Sequence, residues 1–309
     1  MKTIRIHSFG GPELLKVDTL PDPQPGPGEM LVKVGAASIN PVDYKIREGA
    51  YPDVRADKLP YTLGRDISGR VEKCGAGVTQ FRPGDLIYAM LGIDRGGYSE
   101  YVIVKESEAA AMPPRLDFIA AAAVPLAGLT AWQGLFRHGR LKAGQRVLIH
   151  AGSGGVGHFA IQFAKARGAQ VITTVSERHL AFARRLGADE VIDYKRQLFE
   201  DAVHDIDLVF DLIGGGTQAR SFRVLRQGGI LVSTLTEPSQ HKARAHGVEA
   251  MRYTVQESGA ELDEIAQMIE NGLVTPKITR QFSLREVAEA ENFVEQGHTE
   301  GKVVLRIAA

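Results

Sequence analysis

One stretch constrains this chain more than any other: "RVLIHAGSGGVGHFAIQFAKARGAQVITTV", residues 146–175. Val147, Leu148 and Ile149 form a short apolar run. Six residues rich in glycine follow, Gly152-Ser153-Gly154-Gly155-Val156-Gly157. Ala160, Ile161, Phe163 and Ala164 then recur on one helical face, and Val171-Ile172 opens a second apolar run. The spacing predicts strand, tight turn, helix, strand. Gly152-x-Gly154-x-x-Gly157 falls at the strand-to-helix turn, where a dinucleotide fingerprint belongs. One glycine makes the turn, one admits a pyrophosphate to the backbone, and one lets the helix close on the strand. The helix N-terminus then presents free N–H groups and its positive dipole end to phosphates. A purely structural turn is the alternative for any glycine cluster. The strand-to-helix context favours the dinucleotide, and leaves open which one.

The 309 residues suffice for two domains. Thirty-seven basic and thirty-seven acidic side chains balance to zero, which gives no electrostatic case for nucleic acid or an anionic membrane. No apolar run approaches the length of a transmembrane helix, and residues 1–7 lack a signal-peptide core. The single cysteine, Cys74, rules out an internal disulfide and a multi-cysteine zinc site. A cytoplasmic protein is expected.

The texture divides the chain. Up to residue 118, short alternating runs such as 30–34 and 98–104 are separated by Pro/Gly segments, which reads as β-rich. From 119 an Ala-rich helical stretch, interrupted at Pro125, leads into βα alternation. Strand candidates lie at 190–192, 208–212, 230–235 and 251–255. Such alternation predicts an α/β fold with a doubly wound parallel sheet. "ELDEIAQMIENG" (261–272) reads as a helix with a glycine stop. Residues 272–309 return to strand, helix, strand and are expected to complete the first domain. The expected division is therefore 1–118 plus 272–309, and 119–271.

The chain resembles the zinc-independent medium-chain dehydrogenase/reductases, nearest to quinone oxidoreductases and enone or alkenal reductases. Carrying the resemblance, in order, are "GGPELLKV", "SINPVDYKIREGAY", "LGRDISGRVEKCGAGV", "FRPGDLIYA", "GGYSEYVIV", "AAAVPLAGLTAWQGL", "HAGSGGVG", "LGADEVIDY", "DLIGG" and "GHTEGKVVL". It implies a GroES-like catalytic domain built from both chain ends and an inserted Rossmann domain. Zinc-dependent relatives hold catalytic metal at places resembling Asn40, Arg65-Asp66 and Val124-Pro125. Asn, Arg and Pro cannot replace those ligands, and Asp66 alone makes no site. Without a Lewis acid, polarising a carbonyl for alcohol oxidation is difficult. Conjugate reduction is easier, because charge moves to an oxygen remote from the carbon that receives hydride.

An acidic residue at the end of the second Rossmann strand marks NAD; here that place is near Thr174. Ser176 and Arg178 follow and suit a 2′-phosphate, one hydroxyl donor and one fixed cation, so NADP is favoured. His179 stands about where relatives carry Lys, and Glu177 pulls toward NAD. The resemblance further implies Tyr194 near the 2′-phosphate, Thr130 at the nicotinamide carboxamide, Asn40 on the nicotinamide side and His298 at the cofactor. It places Lys45 and Tyr51 in the substrate cleft, where Lys45 would steady a developing oxyanion; a solvent-facing lysine is the plainer alternative. The remaining histidines show no ligand spacing, and Asp205, Asp207 and Asp211 read as loop and strand-end residues.

The expected activity is NADPH-dependent reduction of quinones or α,β-unsaturated carbonyl compounds. A zinc-free carbonyl or alcohol oxidoreductase, or a non-catalytic NADPH-binding protein, are the alternatives. The strand near 251–255 could pair with its copy in a homodimer.

Overall fold

The alternation seen over residues 30–34 belongs to a strand of eleven residues. The computed structural model describes residues 1–297 and 299–307. Its first strands are β1 (Lys2–Ile6), β2 (Lys16–Thr19) and β3 (Glu29–Ile39), followed by helix α1 (Pro41–Arg47). Next come β4 (Tyr61–Thr62), β5 (Asp66–Cys74), β6 (Leu86–Met90), β7 (Tyr101–Lys105) and β8 (Ala109–Ala111). Helices α2 (Phe118–Ala122) and α3 (Pro125–Trp132) lead through a π-helical turn, Gln133–His138, to β9 (Arg146–His150). The alternating section is α4 (Gly157–Ala166), β10 (Gln170–Val175), α5 (Leu180–Arg185), β11 (Glu190–Asp193), α6 (Phe199–Ala202), β12 (Ile206–Asp211), α7 (Gly215–Ser221), β13 (Leu225–Ser233), α8 (Gln240–His246) and β14 (Glu249–Arg252). The chain closes with α9 (Gly259–Glu270), β15 (Ile278–Ser283), α10 (Val287–Glu295) and β16 (Lys302–Arg306).

Two compact units result: Met1–Leu126 with Glu257–Gly272 and Pro276–Ala309, and Ala127–Gln256 with Leu273–Thr275. In the first, β3 pairs with β5 along one side, and with β7 and then β16 along the other. The C-terminal strand thus completes the GroES-like sheet. A core of Met30, Val32, Val34, Ile67, Val71, Ile87 and Leu305 lies against it. The helix read at 261–272 is present as α9, but it packs with this unit. Tyr88 donates its hydroxyl to Leu262 O at 2.6 Å, and Gly259 leaves room for the Ala109 carbonyl. The boundaries accordingly fall at 126 and 256 rather than at 118 and 271. Amphipathic periodicity shows that a helix has a buried face; it does not show against which domain.

Arg47 ties α1 to α10. Its Nε meets Glu291 at 2.6 Å and its second amino group Glu295 at 3.1 Å, with Gly10 O as a further acceptor. Burial pushes the Glu291 carboxyl up to about 7 against the pull of Arg47.

The second unit carries six parallel strands in the order β11-β10-β9-β12-β13-β14, the Rossmann order. Val147, Leu148 and Ile149 on β9 are all fully buried. Consecutive residues face opposite sides of a strand, so both faces of the sheet are covered. β14 ends the sheet slightly earlier than the 251–255 read from sequence. Among the described residues no helix is long and apolar enough to cross a membrane.

Candidate active site

The glycine turn sits where β9 runs into α4. Two of its glycines are required by the protein's own packing. A Cβ on Gly152 would strike the Thr173 hydroxyl of β10, and one on Gly157 the Ala151 carbonyl. Gly154 differs: a Cβ there would meet only Ala151 O, at 3.4 Å, an ordinary contact. Internal packing therefore does not exclude a side chain at Gly154. Ala151 turns the chain in the left-handed region, φ +57°, at a cost on the order of 1–3 kcal/mol. The Gly154 N–H bonds to the Ala151 carbonyl at 3.0 Å and fixes the turn. Gly155 and Val156 are half-buried and Ser153 is buried beside them. In the first turn of α4 the His158 and Ala160 amides bond back to Gly154 O and Val156 O, each at 3.0 Å.

The ends of β10 and β11 gather the residues expected on the ribose side. Val175 pairs with Asp193, and the Tyr194 N–H continues the ladder to Val175 O at 3.2 Å. Ser176 and Tyr194 are thus brought to one sheet end, with Tyr194 52% exposed. Arg178 Nε donates to the buried His179 ring at 3.0 Å. His179, at about the place where relatives carry a lysine, thus serves as the acceptor for the arginine that was expected to supply the charge. Glu177, the residue arguing for NAD, is held by Arg196 at 2.6 Å. Arg196 was missed in the sequence, because nothing local links positions 177 and 196.

Thr130 lies buried on α3. His150 is buried at the end of β9, between the Thr174 and Ser221 hydroxyls, each at 3.0 Å. Burial pulls it down to about 4, so it is neutral at pH 7. Ser221 gives its own proton to Thr217 O, which assigns the imidazole proton to Nε2. The three aspartates are dispersed. Asp205 pairs with His204 and Asp207 with Arg226, while Asp211 accepts from Ile213 N, Gly214 N, Gln218 and Ser233 and fixes the "DLIGG" loop.

In the first unit, Asn40 and the amide of Leu126, the residue after Pro125, converge on the fully buried Asp66. Its Oδ2 accepts from Ser38 Oγ at 2.6 Å and Asn40 Nδ2 at 2.9 Å, and its Oδ1 from Leu126 N at 2.7 Å. Lys302 Nζ stands 3.5 Å from Oδ2 and donates to Asn40 Oδ1. A metal site collects lone pairs around a cation; this one collects donors around an anion. Burial pulls the Lys302 ammonium below the usual lysine range, and Asp66 works against that pull. Arg65 turns elsewhere, to Leu91 O and Glu257. Among the described residues no three His, Cys, Asp or Glu side chains are grouped to hold a metal ion. Lys302 also went unnoticed in the sequence. Its signal was a charged residue at the head of the apolar strand "KVVLR".

Asn40 is nearly fully buried, with both ends of its amide engaged. It precedes α1, whose capping box returns Asp43 Oδ2 to the Asn40 N–H at 2.7 Å; Tyr98 donates to the same oxygen at 3.0 Å. Burial pushes the Asp43 carboxyl up to about 7, with those two donors opposing. Asp43 therefore anchors the helix that carries Lys45. Lys45 is half-exposed, and among the described residues its ammonium forms no ion pair; Tyr51 is half-buried on the following loop. His298 lies outside the described residues.

Residues 26–114 match the alcohol dehydrogenase GroES-like domain family, and residues 186–305 the zinc-binding dehydrogenase family. The mitochondrial NAD(P)H oxidoreductase RTN4IP1 of Mus musculus is 35% identical, over 91% of this chain and 82% of its own length. The quinone oxidoreductase of Rattus norvegicus is 31% identical, over 99% of this chain and 97% of its own. Among solved structures, the Escherichia coli quinone oxidoreductase complexed with NADPH superposes with a TM-score of 0.90 at 29% identity, over 99% of this chain and 100% of that one.

Proposed function

This chain belongs to the medium-chain dehydrogenase/reductases, in their quinone oxidoreductase-like branch, and from that premise we propose that it reduces quinones or α,β-unsaturated carbonyl compounds with NADPH and without metal. That it is an NAD(P)H-dependent oxidoreductase follows from the family; substrate class, cofactor choice and metal independence are the proposal. Bound at the glycine turn, NADPH supplies the hydride. The backbone of Gly152–Gly157 and the first turn of α4 would hold its pyrophosphate. Ser176, Arg178 and Tyr194 would hold the 2′-phosphate, with Glu177 drawn off to Arg196. Thr130 would orient the carboxamide, and His298 belongs to the same proposed set. The relative complexed with NADPH supports this cofactor.

One observation carries the choice of chemistry: the ring of donors around Asp66. A zinc ion does not fit among those groups, because the place its charge would occupy is filled by the Lys302 ammonium. Carbonyl polarisation by a metal is thereby lost, which favours substrates whose developing charge lies on a remote oxygen. Lys45 Nζ would steady that oxygen and hold a proton for it, with Tyr51 beside the substrate and Asn40 on the nicotinamide side. The outer edge of β14, which closes the six-stranded sheet on one side, would suit a second copy of the chain.

Arg178→Ala tests the cofactor assignment. Loss of one charged hydrogen bond should weaken NADPH binding by about 1.5–3 kcal/mol and spare NADH. Calorimetric titration reads both; equal affinity of the unaltered protein for the two cofactors would refute the NADPH assignment.

A further inference from the structure

We propose that Tyr253 is a positioning residue for Thr130, acting through a hydroxyl inserted into the hydrogen-bond ladder of the helix that bears it. The inference rests on the cofactor-binding reading above and adds a residue to it.

An uninterrupted α-helix would bond the Gly134 N–H to the Thr130 carbonyl, four residues back. Here the Tyr253 hydroxyl lies between them. It donates to Thr130 O, and the Gly134 N–H faces the same phenolic oxygen. The helix beyond widens to i→i+5 spacing, with Gly139 N bonded to Gly134 O at 2.9 Å. A side chain entering the ladder is a recognised cause of such a bulge, and π-turns concentrate at functional sites. Gly134 makes the insertion sterically possible. A Cβ there would lie 2.7 Å from the Tyr253 oxygen and would also strike the Phe210 ring.

The insertion is held on each side. The His138 ring packs on the Tyr253 ring, centroids 4.6 Å apart. Gln133, fully buried, closes a reciprocal pair with the chain just beyond: Nε2 donates to Gln256 O at 2.8 Å, and Gln256 N donates to Oε1 at 3.0 Å. The segment following β14 is thus fastened to the helix at consecutive points, and the first of them fixes the Thr130 peptide. Without the hydroxyl, a buried carbonyl and amide lose their partner or the helix tightens toward regular α geometry. Either response moves Thr130 while leaving the glycine turn and the β10–β11 end in place.

The test is Tyr253→Phe, titrated with NADPH and with adenosine 2′,5′-bisphosphate, which lacks the nicotinamide half. The expected result is about tenfold weaker NADPH binding, the scale of one lost hydrogen bond, with adenosine 2′,5′-bisphosphate unchanged. Unchanged binding of the fragment also shows that the variant is folded. Equal losses for both ligands would make Tyr253 a general support of the unit and overturn the proposal; no change for either would overturn it equally. Should the unaltered protein bind only NADH, the NADPH reading fails separately, and the same comparison is read with NADH against ADP-ribose.

Discussion

Lys302→Met is expected to lower the stability of the protein by about 3–5 kcal/mol in chemical denaturation at neutral pH, the usual result of removing one partner from a buried ion pair. Methionine keeps the stem of the lysine and removes its charge. The Asp66 carboxylate would then keep its three neutral donors, Ser38, Asn40 and Leu126 N, with no counter-charge. The partner substitution separates charge from packing. In Lys302→Met/Asp66→Asn, the new amide oxygen can still accept from Leu126 N. Its amino group can donate to Ser38 Oγ, or to the Asn40 amide, which is released to flip once Lys302 is gone. The double variant should therefore recover most of the loss. A single variant within about 0.5 kcal/mol of the original, the range of an unremarkable surface change, would show that the ammonium compensates nothing.

Lys45→Met is the second large effect. Hydride addition to a conjugated carbonyl leaves negative charge on oxygen, and a preorganised cation stabilises that charge most where water is scarce. The half-exposed position of Lys45 and its freedom from ion pairs among the described residues leave its ammonium available for that task. Asp43, anchored by Asn40 N and Tyr98, holds the helix beneath it. Turnover efficiency with enones, kcat/KM, should fall by about 10²-fold or more, the scale of one oxyanion donor, while NADPH affinity stays the same. Unchanged enone turnover would return Lys45 to the surface and leave Tyr51 or solvent to steady the oxygen.

The parts legible in the sequence were those encoded locally. The glycine spacing, apolar runs and helical faces between 146 and 175 carry their own period, and the structure realises them as β9, α4 and β10. The strand, helix, strand texture of the tail is realised as β15, α10 and β16, with β16 paired to β3. What was not legible depends on side chains far apart in the chain. Asp66 draws donors from 38, 40, 126 and 302, and no window of sequence contains them together. Glu177 pairs with Arg196, and nothing local in the sequence links the two positions. Tyr253 gave no signal, since a buried aromatic after a strand is ordinary core. The α9 periodicity marked a buried face without naming the unit that buries it.

The central claim, NADPH-dependent reduction of conjugated acceptors without metal, is tested most directly by following NADPH oxidation against a panel of quinones, short enones, alkenals and simple ketones. The panel is run before and after dialysis against a strong chelator. The predicted result is turnover with quinones or enones, little with simple ketones, and no change after dialysis. Tight NADPH binding with no turnover of any acceptor, turnover confined to simple ketones, or activity lost on dialysis and restored by stoichiometric Zn²⁺ would contradict it.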